Sequence, residues 1–393
     1  MAKSVPHGAR SRPIRRDTSS VVMSSTVENE NIDPPASTSA SASQYPIETK
    51  KIQLSQVLAE VKICKPTAPS NGMGMGTGMG IGIGSFASFA NIFAQNNNKK
   101  KKQPLLFIHG SFHASWCWAE HYMSFFASLG YPSYALSLRG TGGTFAGEGV
   151  TKVKIDEHVG DLTDIISYIR ECEGADTDTD TDTGANVKPV LVAHSFGGLA
   201  VMKYLEQNLM SDGGDDSSSS EDLLVSGVVS LCSVPPSGNG KMTMRFLKRS
   251  LVDSWKITAG LAMRKCITNK ELCRELFFDE NDDTISDEEV GRIQGYFKRD
   301  TDAIIDLVDL AKQLPSVNVD DSGKALFLPS PRKLPSLVVG ATDDFIVDKE
   351  GVLELARYYD VEPVFVNSAH DIMLGKKWTN GADVIKSFLE QEI

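Results

Sequence analysis

From Pro104 onward the chain alternates two hydrophobic patterns. Short apolar runs without a polar face recur at PLLFIHG, YPSYALSLRG, KPVLVAH, LLVSGVVSLC, KLPSLVVGA and EPVFVNSA. Runs of this length and composition, ending in Gly or small residues, predict parallel strands buried on both faces. Between them lie stretches with helical spacing: Ala119–Leu129, Lys154–Glu171, Phe196–Leu209 and Gly381–Glu390. In the second of these, Ile155, Val159, Leu162, Ile165, Ile166 and Ile169 mark one face. Strand–helix alternation predicts right-handed crossovers and an α/β fold with a mainly parallel sheet covered by helices. In such sheets ligands bind beyond the carboxyl ends of the strands.

Three strand ends carry candidate chemistry. Ala193-His194-Ser195-Phe196-Gly197-Gly198 lies between a strand and a helix. It reads as a nucleophile elbow, whose tight turn requires small residues two places either side of the nucleophile. Ser195 would then stand at a helix N-terminus, where partial positive charge favours an oxyanion. His109-Gly110-Ser111-Phe112 follows the first strand. An oxyanion hole takes one backbone N–H from the residue after the nucleophile, here Phe196, and one from this early loop. Ser111 supplies the second by position, with Phe112 as the alternative. His109 reads as a hydrogen-bonded structural residue, and His109 with His113 has no third ligand to make a metal site.

The third is the pair of segments Gly340-Ala341-Thr342-Asp343-Asp344 and Asn367-Ser368-Ala369-His370. The order Ser195, acid, His370 is the one this architecture requires. His370 can accept the serine proton and return it to a leaving group, while a carboxylate fixes its tautomer. Asp343 and Asp344 compete for that place, and the D-x-I-V spacing favours Asp344.

Together LLFIHGSFHASWCW, SLRGTGGT, VAHSFGGLA, VVGATDDFIVD and NSAHDIML resemble the α/β-hydrolase superfamily across almost all of 104–393. HGSFHASWCW is most similar to the plant methylesterase and hydroxynitrile lyase branch, and the SLRG and C-terminal blocks to lysophospholipase-like and esterase groups. The resemblance implies an eight-stranded, mostly parallel sheet. It implies a Ser195–His370–Asp344 triad with oxyanion donors at Ser111 and Phe196, acting on a small-molecule ester without a cofactor. A lyase using the same triad, or a non-catalytic ligand receptor, is the alternative. An Asp-nucleophile dehalogenase or epoxide hydrolase is excluded by the serine at the elbow. Ala193 departs from the usual Gly.

Residues 237–332 are far more than a crossover needs. They resemble an inserted helical lid, with helices over Lys241–Met263, Asn269–Phe278, Asp287–Arg299 and Thr301–Leu314. Phe246, Leu247, Leu251, Trp255, Leu261 and Met263 are its candidate substrate-facing residues. The core then comprises 104–236 and 333–393.

Residues 1–103 differ in kind. They hold 13 Lys+Arg against 6 Asp+Glu, whereas 104–393 hold 27 against 45. A net charge of −11 for the whole chain argues against nucleic acid as partner. The segment is rich in Ser, Thr, Gly and Met and reads as a disordered arm. Its first 27 residues have the basic, acid-poor bias of an organelle transit peptide. Residues 73–94 are uncharged, but six glycines with Ser85, Ser88 and Asn91 favour a linker over a membrane span. The polar inserts Asp176–Thr183 and Ser211–Asp222 read as surface loops without EF-hand spacing. Six scattered cysteines with no C-x-x-C suit a reducing, intracellular setting, cytoplasmic or organellar (plastid or mitochondrion).

Overall fold

The computed structural model describes residues 45–67, 101–175, 187–210, 224–278, 285–301, 303–326, 328 and 334–393. The transit-like segment, the Gly-Met tract, the uncharged stretch 73–94 and both polar inserts lie outside the described residues. The six apolar runs form strands β3 (Leu105–Ile108), β4 (Ser133–Leu136), β5 (Val190–His194), β6 (Gly227–Leu231), β7 (Ser336–Ala341) and β8 (Val364–Val366). Every residue of β3 to β6 is buried, as continuous apolar strands between two helical layers require.

Two further strands come from the supposed arm. β1 (Ile47–Gln53) and β2 (Leu58–Cys64) pair antiparallel, and β2 pairs antiparallel with β4. The sheet order is β1-β2-β4-β3-β5-β6-β7-β8, parallel from β4 onward. The expectation of a wholly disordered 1–103 is therefore corrected. Residues 47–64 alternate polar and apolar positions with a core-facing set at Ile52, Ala59, Val61 and Ile63. The surrounding low-complexity composition obscured that period-two pattern. Glu173 of α2 is buried and takes Lys65 after β2, Lys101 before β3 and the Tyr134 hydroxyl.

The helices that cover the sheet are α1 (Tyr122–Ser128), α2 (Ile155–Gly174) and α3 (Gly197–Met210). The inserted region holds α4 (Asn239–Arg249), α5 (Leu251–Ile257), α6 (Lys270–Phe277) and α7 (Asp287–Arg299). α8 (Lys349–Tyr359) and α9 (Trp378–Glu392) complete the fold. Two expected lid helices are broken. Ser250 is extended and its hydroxyl accepts from the Asp253 N–H, which ends α4 and starts α5. The stretch Thr301–Leu314 is not one helix: Ile304–Ile305 pair with Lys152–Val153, and Asp306 then caps a short turn at Leu307–Leu310. Asp287–Arg299 matches its expected bounds, started by a Ser286–Glu289 capping box.

The lid is tied to the body by charge-assisted contacts. Arg245 forks onto Asp348 at 2.7 and 2.6 Å, and Arg292 onto Glu120 at 2.6 and 3.0 Å. Asp300 accepts from Trp116 Nε1 at 2.8 Å and from the Gly142 N–H at 3.0 Å. Among the described residues, no helix is long and apolar enough to cross a membrane.

Val61 is fully buried in β2. Val61→Asp is expected to lower stability by roughly 3 kcal/mol or more, since a carboxylate there has no partner. A urea midpoint equal to that of the wild type would show that β2 is not part of the cooperative core.

Candidate active site

The turn after β5 sets Ser195 at φ 52°, a left-handed conformation that non-glycine residues rarely adopt. Close approach fixes the neighbouring glycines. A Cβ on Gly197 would lie 2.6 Å from the His109 carbonyl oxygen, and one on Gly198 2.7 Å from Ser233 Cβ. A Cβ on Gly110 would lie 2.6 Å from Ser195 Cβ. The loop after β3 and the turn after β5 therefore touch backbone to backbone. The fully buried Ala193 fills the position where the elbow pattern has Gly.

Ser195 Oγ lies 3.1 Å from His370 Nε2. The other ring nitrogen, Nδ1, lies 3.0 Å from each oxygen of Asp344. Asp344 Oδ1 also accepts from the N–H groups of Ile346 at 2.8 Å and Val347 at 2.9 Å. The buried Cys232 thiol faces the same carboxylate; burial and that negative charge push it well above its usual range, so it stays a thiol. Asp343, by contrast, is exposed, and its side chain takes the Thr342 hydroxyl at 3.0 Å. Between the two candidate acids, only Asp344 meets the imidazole.

His370 is 2% exposed. Burial opposes its protonated form, but the charge and hydrogen bond of Asp344, helped by Asp371, outweigh burial and raise its pKa above the ordinary 6.5. An imidazole so placed gains in affinity for a proton handed over by Ser195. Ser195, at 5% exposure, is also almost covered. The Phe277 ring at the end of α6 lies 6.0 Å from the His370 ring, and Phe112 and Phe297 pack with it.

The backbone N–H groups of Ser111, Phe112 and Phe196 have no hydrogen-bond partner among the described residues. Phe112 holds φ 68°, so the loop after β3 is strained beside Ser195. His109 behaves as expected of a structural residue. Its Nε2 accepts from the Leu138 N–H at 2.9 Å and its Nδ1 donates to the Gly110 carbonyl at 2.7 Å. Burial pushes its pKa down to about 3, which keeps it neutral.

Sequence reasoning missed a second polar layer. His113 Nδ1 faces the Ser111 carbonyl at 2.8 Å and its Nε2 faces Asp371 Oδ2 at 3.0 Å. Both partners are acceptors, so both bonds form only when His113 carries two protons or Asp371 carries one. Asp371 also donates its N–H to the Phe277 carbonyl at 3.0 Å. Asp371 therefore joins the loop after β3, the inserted region and the segment that bears His370. His194 Nε2 donates to the His370 carbonyl at 2.9 Å; burial and the neighbouring His370 and His113 hold its pKa well below 6.5. The H-x-x-x-H spacing of His109 and His113 and the acid directly after His370 were the available signals. Neither names a partner until the loops are folded together.

The lid candidates are corrected in part. Phe246 and Leu261 are half-buried against the core. Leu247, Leu251, Trp255 and Met263 stand in solvent at 46%, 72%, 61% and 58% exposure, while the ring beside His370 belongs to Phe277. The helical pattern located α6, but only packing decides which of its faces meets the site. Trp116 and Trp118 are core residues, as expected of large aromatics.

Two sets of side chains bring metal-ligating atoms within 4.8 Å of one another: His194, His370 and Asp371, and Cys232, Asp344 and His370. Both need His370, whose two nitrogens are already engaged by Ser195 and Asp344. A separate groove of about 900 Å³ opens near Pro335, Arg357 and Phe388 and contains no residue of this cluster.

A family model described as "Alpha/beta hydrolase family" matches residues 105–378. The chain belongs to the α/β-hydrolase family. No curated protein sequence matches it. Among solved structures it is similar to an epoxide hydrolase from Vigna radiata, with 17% identity and a TM-score of 0.51 over 88% of this chain and 98% of that one. It is similar to 2-hydroxy-6-oxo-6-phenylhexa-2,4-dienoate hydrolase from Rhodococcus sp. strain RHA1, with 14% identity and a TM-score of 0.53 over 88% and 100%. A bacterial membrane phospholipase A aligns with 12% identity and a TM-score of 0.54 over 89% and 87%. At these identities the likeness is one of fold.

The His370 imidazole is expected to titrate above 6.5 in NMR spectra of the protein, because both neighbouring carboxylates favour its cation. Asp371→Asn removes one of them and is expected to move that titration to lower pH, leaving the Asp344 contact in place. An unchanged His370 titration in this variant would rule out the electrostatic contribution of Asp371.

Proposed function

We propose that this α/β-hydrolase family member is a serine hydrolase of carboxylic esters. The observation that carries the reading is the continuous chain Ser195 Oγ, His370, Asp344, with contacts of 3.1 and 3.0 Å. Ser195 attacks the ester carbonyl carbon as His370 Nε2 takes its proton. The imidazolium formed is held by Asp344 through Nδ1–H, which also fixes the tautomer. The developing oxyanion is assigned to the N–H groups of Phe196 and Ser111, with Phe112 as the neighbouring donor; one such donor is worth about 3–4 kcal/mol in related sites. His370 then returns the proton to the leaving alcohol. The acyl-enzyme is hydrolysed by a water that His370 activates, and Ser195 is regenerated. None of these steps draws on a cofactor.

Phe112, Phe277 and Phe297 beside His370 favour a hydrophobic acyl or alcohol group. With Ser195 and His370 so covered, substrate entry requires displacement of the segment that ends at Phe277. The names of the structural neighbours span several substrate types, so the ester class rests on the residues rather than on them. The methylesterase-like stretch 109–118 supports the ester reading as well as the lyase one. No specific contact favours the lyase: among the described residues, no lysine bonds to Ser195 or His370. An intact triad weighs against the receptor. The six cysteines, all free, suit a reducing intracellular compartment.

A fluorophosphonate probe is expected to label the wild type and to leave Ser195→Ala unlabelled. Folded wild-type protein that resists the probe would refute the hydrolase reading and favour the receptor. Labelling of Asp344→Asn is expected to slow by several orders of magnitude, about 10⁴-fold by analogy with triad carboxylates elsewhere. Asp343→Asn is expected to label at nearly the wild-type rate, and the reverse ranking would reassign the acid.

A further inference from the structure

The segment from Asn239 to Lys265 is unlike the rest of the protein. It contains seven basic residues (Lys241, Arg245, Lys248, Arg249, Lys256, Arg264 and Lys265) and one acidic residue, Asp253, in a chain of net charge −11. Its outer surface is also apolar. Met244, Leu247, Leu251, Val252, Trp255 and Met263 are 52%, 46%, 72%, 64%, 61% and 58% exposed. No residue of α5 is buried, although Leu, Val and Trp make up three of its seven positions.

The apolar and basic side chains fall on one side by spacing. Met244, Leu247 and Lys248 stand at i, i+3 and i+4 on α4; Leu251 and Trp255 stand at i and i+4 on α5, with the exposed Val252 flanking them. The Lys265 ammonium lies 5.3 Å from the centre of the Trp255 ring, which joins the turn after the lid's π-helical segment (Thr258–Ala262) to the same patch. The inward side of α5 is separately engaged: Lys256 pairs with Glu275 and lies 5.9 Å from the Phe345 ring.

Four of the seven bases meet acids of the protein: Lys241 with Glu354, Arg245 with Asp348, Arg249 with Asp348 and Glu350, and Lys256 with Glu275. Lys248, Arg264 and Lys265 have no acidic partner among the described residues. Among the described residues their charge is therefore uncompensated, at the edge of an exposed Leu, Val, Trp and Met surface. Large apolar side chains ringed by Lys and Arg are the composition of helices that lie in a bilayer interface. Trp and Arg or Lys also seat well at the headgroup level.

We propose that the outer face of α4 and α5, with the turn at Arg264–Lys265, docks on an anionic lipid bilayer. Charge selects the orientation. Outside Asn239–Lys265 the body from 104 to 393 has 20 Lys+Arg against 44 Asp+Glu, so its other faces are, in sum, repelled by such a surface. The docked face lies one layer above the candidate active site. A Cβ on Gly260 would lie 2.2 Å from Leu276 Cδ1, so the π-helical segment sits directly on α6, and α6 ends at Phe277 beside His370. The docking does not depend on the ester hydrolase reading, and binding is read without any assay of activity.

The test is co-sedimentation of the full chain with vesicles of phosphatidylcholine alone and of phosphatidylcholine mixed with phosphatidylglycerol. Binding is expected to the mixed vesicles only, and to weaken as salt is raised. Lys248→Gln/Arg264→Gln/Lys265→Gln is expected to lose about fivefold in partitioning per removed charge, roughly a hundredfold in all. Leu251→Ser/Trp255→Ser is expected to bind at least about tenfold more weakly, since both side chains lose their apolar burial. These residues are exposed, and a circular dichroism melt checks that each variant is folded. Absence of wild-type binding to either vesicle overturns the proposal. So does binding that both variants retain in full, which would assign it to the basic segment 1–103. A wild-type dimer that Leu251→Ser/Trp255→Ser dissociates, with no vesicle binding, would give this face to a second copy of the chain instead.

Discussion

Between the ends of β3 and β5 two backbone turns approach so closely that a methyl group does not fit at Gly110 or Gly197. That contact places the N–H groups of Ser111 and Phe112, unpartnered among the described residues, beside a serine held at φ 52°. It works because β3 and β5 are adjacent, parallel and in register, with Leu105 opposite Val190 and Ile108 opposite Ala193. Hydrogen bonding along the sheet therefore fixes the relative height of both turns. Any side chain larger than hydrogen at either glycine would separate them and open the space between Ser195 and those N–H groups. The geometry of the candidate chemistry is thus set by sheet register first and by side chains second.

Electrostatics at the carboxyl edge then follow from burial. Removing His370 from water disfavours its cation, and Asp344 and Asp371 more than restore it. Asp344 is in turn held by two backbone N–H groups and faced by the Cys232 thiol, so its charge has partners in the absence of solvent. His194 and His109 are buried too, but no carboxylate accepts a hydrogen bond from either, and their pKa values fall. Four histidines close together therefore serve different ends. His370 can carry a proton, His113 is bonded to a carboxylate, and His109 and His194 stay neutral and brace backbone.

The lid shares these supports. Asp371 bonds His113 of the loop after β3 and the backbone of Phe277, and Asp300 bonds Trp116 and Gly142. The covering helices are thereby tied to the loops they cover. Movement of α6 away from His370 would be felt at the loop after β3 through Asp371, whose N–H bonds Phe277 and whose carboxylate bonds His113, and through the packing of Phe277 on Phe112. Outward, the same lid exposes its most apolar and most basic surface.

The strand runs, the tight turn around Ser195, the chain order of Ser195, Asp344 and His370 and most helices of the core were legible in the residues. These features depend on local periodicity and on steric demands that a few adjacent positions state by themselves. The choice between Asp343 and Asp344 was only leaning in the sequence, because both follow the same strand and differ by which way one residue turns. The partners of Asp371 and His113, 258 positions apart, were not legible at all. Nor was the outward face of Leu251 and Trp255, since helical spacing defines a stripe but not what it faces. The two antiparallel edge strands carried their pattern in a short stretch of weak alternation inside low-complexity sequence. What the sequence determined alone was the local backbone: strands, turns and the residue types that chemistry needs. Which of those residues share a proton, which lose their water and which face solvent depends on contacts between distant segments, and only the folded sheet with its lid decides them.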